Sequence, residues 1–247
     1  DMALIYSETP CTAAGTFTTN RVKAAPVRVS QTHLRDADVR AILVNSGNAN
    51  ACTGVNGVKD ARLSARVVGK QLGLKQSQVA VCSTGVIGLP LPMTRIEPKF
   101  SELVEGLKRD KSLNVAQAIM TSDTVRKTAG AKFMIGKKEI TISAMVKGSG
   151  MINPNMATML CFIATDADID KATLQAATSA AVEQSFNRIS VDGDMSTNDT
   201  VIVMANAAAG NRTITNGGAS SKLFRAALNA VMLKLAKDMV RDGEKRT

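Results

Sequence analysis

Thr158 is the residue whose type and position could support covalent chemistry. It opens an apolar run directly after a loop rich in glycine and asparagine over 148–157. A threonine can act as a nucleophile when its own α-amine serves as the general base, which requires a free amino terminus. A chain break in front of Thr158 would create that terminus. Because threonine is also common at the start of buried strands, the residue type alone leaves both interpretations open.

Other sources of a general base or a metal site are scarce. His33 is the only histidine and lies in a polar segment, so we expect it on the surface and expect neither a Ser-His-Asp triad nor a multi-histidine metal site. Asp192, Asp194 and Asp199 crowd one loop. Val203 stands where a calcium-binding EF-hand loop carries its last glutamate, which favours a hydrogen-bonded turn. No Walker A or Gly-x-Gly-x-x-Gly pattern follows a predicted strand. We therefore expect no metal and no bound cofactor.

Cysteine spacing and charge narrow the class of protein further. The cysteines show no paired spacing and are predicted to be reduced core thiols: Cys11, Cys52, Cys82 and Cys161. The formal net charge is +10, but the basic residues are scattered and tryptophan is absent, so we expect small anionic substrates and no nucleic acid. No apolar run approaches the roughly 18 residues of a membrane helix. We expect no membrane association and a cytoplasmic location, or a mitochondrial or plastid one in a eukaryote.

Strands and helices are mixed along the chain, which predicts one compact α/β unit. Short β-branched runs predict buried strands at 40–44, 78–82, 140–146, 158–164 and 200–205. Apolar spacings of three and four predict helices at 58–72, 93–108, 113–120, 169–186 and 220–240. In the last helix, the predicted buried face comprises Leu223, Ala226, Ala227, Ala230, Leu233 and Met239. Polar clusters rich in glycine, asparagine and serine lie at strand ends, where sites are commonly built, at 45–50, 83–88, 147–154 and 192–198.

The segment around Thr158 carries a family resemblance. Lys147-Gly-Ser-Gly-Met-Ile-Asn-Pro-Asn-Met-Ala-Thr-Met-Leu160 closely resembles the self-cleavage segment of the ornithine acetyltransferases, the bifunctional glutamate N-acetyltransferase family of arginine biosynthesis. Further segments resemble the family and occur in the same order along the chain, at 45–52, 82–88, 118–124, 190–199 and 239–244. The resemblance therefore spans essentially the whole chain.

The resemblance implies an architecture. The expected fold is α/β, a self-cleaving N-terminal-nucleophile-like sandwich with helices outside stacked β-sheets. Cleavage is expected between Ala157 and Thr158. Residues 1–157 would then be an α-chain segment, incomplete at its N-terminus, and 158–247 a β-chain segment, incomplete at its C-terminus. Both segments would form one compact fold, and two chains of each kind would form a heterotetramer.

The resemblance also implies a reaction. Thr158 would take the acetyl group from N2-acetyl-L-ornithine and pass it to L-glutamate in a ping-pong mechanism. Thr84 and Gly85 are similar to the family's oxyanion hole. The residues that resemble its substrate-binding set are Thr121 and Lys147, expected at a carboxylate, Glu244, expected at an ammonium group, and Thr158 itself. Whether acetyl-coenzyme A also serves as a donor is left open.

Two other interpretations fit the same sequence. A self-cleaving aminopeptidase or amidase of this architecture would give the acyl group to water, and no sequence pattern establishes the geometry that would let a glutamate amine outcompete water. An inactive, truncated basic protein that binds nucleic acid or another anion is the alternative from a different class. Such binding should weaken steeply as ionic strength rises.

Overall fold

The computed structural model describes residues 1–36, 38–152 and 158–243. The strands of these ranges are β1 Met2–Tyr6, β2 Thr12–Phe17, β3 Ala41–Asn48, β4 Val79–Val86, β5 Lys127–Ile135, β6 Lys138–Lys147, β7 Leu160–Thr165 and β8 Thr200–Ala205. The α-helices are α1 Ala25–Asp36, α2 Gly54–Gln71, α3 Met93–Ile96, α4 Phe100–Glu105, α5 Ser112–Ala118, α6 Lys171–Gln184 and α7 Ala219–Arg241. No helix in the described part of the chain is long and apolar enough to cross a lipid bilayer.

The strands form two separate sheets. The smaller sheet has the order β1-β3-β4, and the larger has the order β2-β8-β7-β6-β5. Strands β3 and β4 are parallel, with Asn45 opposite Ser83 and Ser46 opposite Thr84. Strands β6 and β7 are antiparallel, with Lys147 opposite Leu160. These registers fix the positions of the polar residues at the ends of β3, β4 and β6 within the two sheets.

Three apolar cores separate four layers. Alternate residues of a strand point to opposite faces of its sheet, and here both faces are covered. In β3, Ile42 belongs to the core shared with the larger sheet, whereas its neighbour Leu43 packs with residues of α2 and α4. In β8, Ile202 faces the smaller sheet and Val203 packs with residues of α6 and α7. The layers therefore run helices, sheet, sheet, helices, which confirms the predicted fold class.

Some elements differ from the sequence-based prediction. Strands β1, β2 and β5 and helix α1 were not predicted. The helix predicted at 93–108 is divided into α3 and α4, because Pro98 lies in the 3-10 turn between them. Thr158 lies two residues before β7 rather than at its first position.

The predicted buried face of α7 was wrong except at Met239, which is buried, and Ala227, which packs against the core while partly exposed. Leu223 and Leu233 are 50% and 36% exposed. The helix instead buries a neighbouring stripe that contains larger side chains: Phe224, Leu228, Val231, Met232, Leu235, Ala236 and Met239. Tertiary packing selected the stripe that buries more apolar volume, which spacing alone does not reveal.

Two single-residue predictions were also wrong. His33 is buried, and its Nδ1 atom donates a hydrogen bond to the Val79 carbonyl oxygen at 2.7 Å. Burial lowers the pKa of His33, although this hydrogen bond works in the opposite direction. The amphipathic helix α1 turns His33 toward β4, and the polar neighbours of His33 in the sequence concealed this. Cys52 is exposed, whereas the other three cysteines are buried as predicted.

Candidate functional site

Lys147 joins the two sheets at the centre of the candidate site. It is the last residue of β6 and is buried. Its Nζ atom donates hydrogen bonds to Thr121 Oγ1 at 2.8 Å and to Thr84 Oγ1 at 3.3 Å. Thr84 lies in β4 of the other sheet, and Thr121 follows α5 and is exposed. The structure therefore brings three of the sequence-predicted site residues together.

Gly85 lies where two backbones approach closely. Its φ is +131°, and a Cβ atom placed on it would be 2.2 Å from the carbonyl carbon of Gly47. Only glycine adopts this conformation and leaves that space. The backbone of Ser83, which precedes Thr84, is held in place as well. Asn198 Nδ2 donates hydrogen bonds to the carbonyl oxygens of Ser83 at 2.8 Å and Ala49 at 2.7 Å. The backbone of this turn is thus rigidly oriented, as an oxyanion-binding site requires.

The backbone of Thr158 lies beside the cluster of Lys147, Thr84 and Thr121. A Cβ atom placed on Gly148 would be 2.5 Å from the Thr158 carbonyl oxygen, so the residue after Lys147 packs directly against Thr158. The Thr158 N–H donates to the carbonyl oxygen of Met151 at 3.2 Å. The Thr158 hydroxyl donates to the same oxygen. The candidate nucleophile is therefore held against the loop that precedes it.

That loop is anchored by the aspartate-rich turn. Asp192 accepts hydrogen bonds from the N–H groups of Met151 at 2.5 Å and Ile152 at 2.8 Å. Burial raises the pKa of Asp192, but these backbone hydrogen bonds outweigh it and leave the pKa below its usual range. These hydrogen bonds, and the one from Asp194 N to Asp192 Oδ1, agree with the predicted hydrogen-bonded turn.

Asp123 connects three segments of the chain near Lys147 through its carboxylate. Its Oδ1 atom accepts from Gly148 N at 2.6 Å and from Lys127 Nζ at 2.7 Å, and its Oδ2 atom accepts from Thr121 N at 3.1 Å. Burial acts to raise the pKa of Asp123, but the charge of Lys147 and the hydrogen bonds from Lys127 and Gly148 hold it below its usual value. A buried carboxylate is therefore kept ionised within 4.0 Å of Lys147 Nζ.

Asp199 is a second buried acid near Thr158. Its Oδ1 atom accepts a hydrogen bond from Met159 N at 3.1 Å. Burial raises the pKa of Asp199 to about 8. Asp199 was predicted only to belong to a turn, and Asp123 and Lys127 were not singled out at all. These three residues stand out only by their burial in the structure, which the spacing of residues in the sequence does not show.

Two predicted site residues, Ala157 and Glu244, lie outside the described residues. A cavity of about 260 Å³ is lined by the four residues 124–127 together with Asp238, Arg241 and Asp242. It adjoins Lys127 and does not include Thr158, Thr84 or Lys147 in its lining. The candidate site is therefore defined by its hydrogen bonds rather than by this cavity.

Sequence comparisons place the chain among known proteins. It matches the model of the ArgJ family over residues 1–247. It is 49% identical over 247 residues to the arginine biosynthesis bifunctional protein ArgJ of Symbiobacterium thermophilum, covering 100% of this chain and 61% of that protein. It is 47% identical over 247 residues to the arginine biosynthesis bifunctional protein ArgJ 1 of Clostridium acetobutylicum, with 100% and 60% covered. The chain thus spans about 60% of the length of these relatives.

Solved structures agree with this assignment. The arginine biosynthesis bifunctional protein ArgJ from Bacillus halodurans is 38% identical with a TM-score of 0.56, over 64% of this chain and 83% of that one. The ornithine acetyltransferase of Mycobacterium tuberculosis, solved with ornithine, is 34% identical with a TM-score of 0.54, over 62% and 82%. The L-aminopeptidase D-Ala-esterase/amidase of Ochrobactrum anthropi, described as an Ntn hydrolase variant, is 9% identical with a TM-score of 0.50 over 96% and 75%, a likeness of fold alone. The chain belongs to the ArgJ family.

Proposed function

We propose that this chain forms the acyl-transfer centre of a glutamate N-acetyltransferase, in which Thr158 carries an acetyl group from N2-acetyl-L-ornithine to L-glutamate. The observation that carries the proposal is the contact of Lys147 with both Thr84 and Thr121, next to the backbone of Thr158. In this proposal the substrate binds between the Lys147 cluster and Thr158. Membership of the ArgJ family supports this reaction class.

The first step is release of the amino terminus. The Thr158 hydroxyl oxygen attacks the Ala157 carbonyl carbon, the peptide C–N bond breaks, and the hydroxyl proton passes to the departing nitrogen, which leaves an ester and a free Thr158 amine. Water then hydrolyses the ester and leaves a carboxylate on Ala157. The hydrogen bond from the Thr158 hydroxyl to Met151 O supports this step, because it holds the hydroxyl group in one position.

The second step is acetyl transfer. The Thr158 α-amine takes the hydroxyl proton while the oxygen attacks the acetyl carbonyl carbon, and ornithine departs with that proton. The glutamate amine then attacks the acetyl-threonine ester and restores the hydroxyl group. Negative charge on the carbonyl oxygen is stabilised by Thr84 and Gly85, and one such donor is typically worth about 3 kcal/mol.

The charges of the site residues are opposite to those of the amino-acid substrates and determine how the substrates bind. Lys147 and the Thr121 hydroxyl bind the substrate carboxylate, and Glu244 is assigned to its ammonium group. The substrate itself supplies the acetyl group, so the reaction needs no metal or bound cofactor, and acetyl-coenzyme A is a candidate second donor. Residues 1–157 and 158–247 stay together after cleavage as the two kinds of chain of a heterotetramer.

The intact mass of the full chain tests the proposal. After denaturation we expect two fragments that meet at Ala157 and Thr158. Incubation with N2-acetyl-L-ornithine should add one acetyl group to the threonine-led fragment alone. Thr158→Ser should still cleave, because it keeps a hydroxyl nucleophile, whereas Thr158→Ala should remain one chain. A wild-type protein that stays uncleaved and unmodified contradicts the proposal.

Acceptor choice separates transfer from hydrolysis. Addition of L-glutamate to the acetylated enzyme should remove the acetyl group and yield N-acetylglutamate in equal amount. Release of acetate at the same rate with and without glutamate would identify a hydrolase instead.

A further inference from the structure

Four charged side chains form a buried cluster next to the candidate site. They are Asp123, Lys127, Lys147 and Asp242, and the exposed fraction of each side chain is 4% or less. Buried charges are costly unless they are paired and hydrogen-bonded. Two cations and two anions balance in this cluster, so it persists without net charge. It contains Lys147 but extends well beyond the groups that would touch a substrate.

Lys127 connects this cluster to the end of α7. Its Nζ atom donates to Asp123 Oδ1 at 2.7 Å and also to Asp242. Asp242 directly follows α7 and accepts from Thr124 N at 3.1 Å. The position of the α7 terminus is therefore tied to the segment that carries Thr121.

Asp123 is engaged on both carboxylate oxygens. Gly148 N and Lys127 Nζ reach Oδ1, and Thr121 N reaches Oδ2 at 3.1 Å. Rotation of this carboxylate would break contacts on both sides, so its orientation is fixed. Through it the backbones of Thr121 and Gly148, which flank the Lys147 ammonium group and Thr158, are held at one spacing.

The Lys147 ammonium group lies closer to two threonine hydroxyl groups than to the Asp123 carboxylate. Lys147 Nζ lies 4.0 Å from Asp123 Oδ2 but 2.8 Å from Thr121 Oγ1. Lys127 is the closer cation to Asp123 and occupies Oδ1. Lys147 therefore forms its shorter contacts with the two threonine hydroxyls, and its ion pair with Asp123 is the longer one.

We propose that Asp123 and Lys127 are positioning residues that keep Lys147 directed at the carboxylate of the amino-acid substrate. This inference rests on the proposed function, since it takes Lys147 as the group that binds that carboxylate. Asp123 aligns Lys147 and Thr121 by its hydrogen bonds, and Lys127 prevents Asp123 from capturing Lys147.

The test is Asp123→Asn in the full chain, a change that keeps the shape and one oxygen acceptor but removes the charge. Steady-state kinetics are measured with N2-acetyl-L-ornithine and with its carboxamide, in which the carboxylate is replaced. We expect kcat/KM for the carboxylate donor to fall by roughly 100-fold, as for a misplaced binding group. The carboxamide, which cannot pair with Lys147, should lose far less. The control is Lys132→Met, which removes an exposed ion pair with Glu139 on the same β5–β6 hairpin and should change neither donor.

An equal loss of kcat/KM for both donors overturns the positioning role, because a purely structural defect does not distinguish them. If the melting curve shows that Asp123→Asn is unfolded, Asp242→Asn is measured in the same way. It removes the second charged partner of Lys127 and so loosens the hold of Lys127 on Asp123, and it should raise KM for the carboxylate donor selectively. An unchanged or unselective effect of Asp242→Asn overturns the inference.

Failure of the proposed function would be visible separately, as a wild-type protein that turns over neither donor. Calorimetric titration with L-ornithine and its carboxamide then decides the positioning role without turnover. A preference of the wild type for the carboxylate ligand that disappears in Asp123→Asn supports it. Equal affinities in both proteins contradict it.

Discussion

Asp199 Oδ1 accepts a hydrogen bond from the backbone N–H of Met159 at 3.1 Å, so a fully buried carboxyl group is fixed at the residue that follows Thr158. Burial raises the pKa of Asp199 to about 8, although the Met159 hydrogen bond and the charge of Lys147 act to lower it. The group is therefore predominantly protonated at neutral pH in the folded protein.

The sign of the pH effect on stability follows from this pKa. In the unfolded chain an aspartate ionises near about pH 3.9. Between that pH and about 8 the folded state binds the extra proton. Stability therefore falls as pH rises through this window, by about 1.4 kcal/mol for each unit that separates the two pKa values.

Asp199→Asn should remove this pH dependence, because an amide does not ionise. We expect the melting temperature of the variant, relative to wild type, to rise between pH 5 and pH 8. Thermal melts at these two pH values make the comparison. A constant difference at both values would show that Asp199 has an ordinary pKa.

Thr84→Ala should slow acyl transfer, because it removes a hydroxyl group from the predicted oxyanion site. The expected loss in kcat is on the order of 100- to 1000-fold, typical of one oxyanion donor. Thr84→Ser keeps the hydroxyl group that contacts Lys147 and should retain most of the activity. A Thr84→Ala enzyme with wild-type kcat would remove Thr84 from the mechanism.

Gly85→Ala should destabilise the end of β4, where Gly85 pairs with Gly47 of β3. The added methyl carbon would be 2.2 Å from the Gly47 carbonyl carbon, at a φ of +131°. We expect a loss of more than about 1 kcal/mol, measured by denaturant unfolding. Gly88→Ala is the matched control, since Gly88 also has a positive φ, +88°, but its added carbon meets no atom within 4 Å. Equal losses in the two variants would mean that backbone strain alone, and not the contact with Gly47, matters.

Lys127→Met should destabilise the fold strongly, because it leaves Asp123 and Asp242 facing each other without their shared cation. Removing one partner of a buried pair typically costs about 3–5 kcal/mol. Lys132→Met removes a surface pair of the same strand and should cost less than about 1 kcal/mol. Denaturant unfolding of both variants measures the contrast, and similar values would show that the buried cluster adds nothing beyond a surface pair.

Part of the fold was accessible from the sequence because some elements have a clear period. The helix predicted at 58–72 corresponds to α2, and the strand predicted at 200–205 matches β8, whose six residues are all buried. Strand β5 was missed although it alternates in burial, because the small residues Ala129, Gly130 and Ala131 give its middle a weak apolar signal. Its place in the sheet is set by pairing with β6 rather than by its own composition.

The residues of the candidate site, like the elements of the fold, were only partly predictable from the sequence. Lys147, Thr84 and Thr121 were predicted from a resemblance between segments, and the structure places them in contact. Asp123 and Lys127 could not be predicted, because a charged residue in a sequence is read as solvated until its partners are known. Asp123 and Asp242 are more than a hundred residues apart, yet both contact the Lys127 ammonium group.

The order of strands in the larger sheet determines what a break between 157 and 158 would mean for assembly. Strands β7 and β8 belong to the second segment, and they lie between β2 on one side and β6 on the other, both from the first segment. Neither piece can leave without opening two ladders and exposing a shared apolar core. If the chain breaks there, we expect the two pieces to stay associated as complementing fragments of a single folding unit.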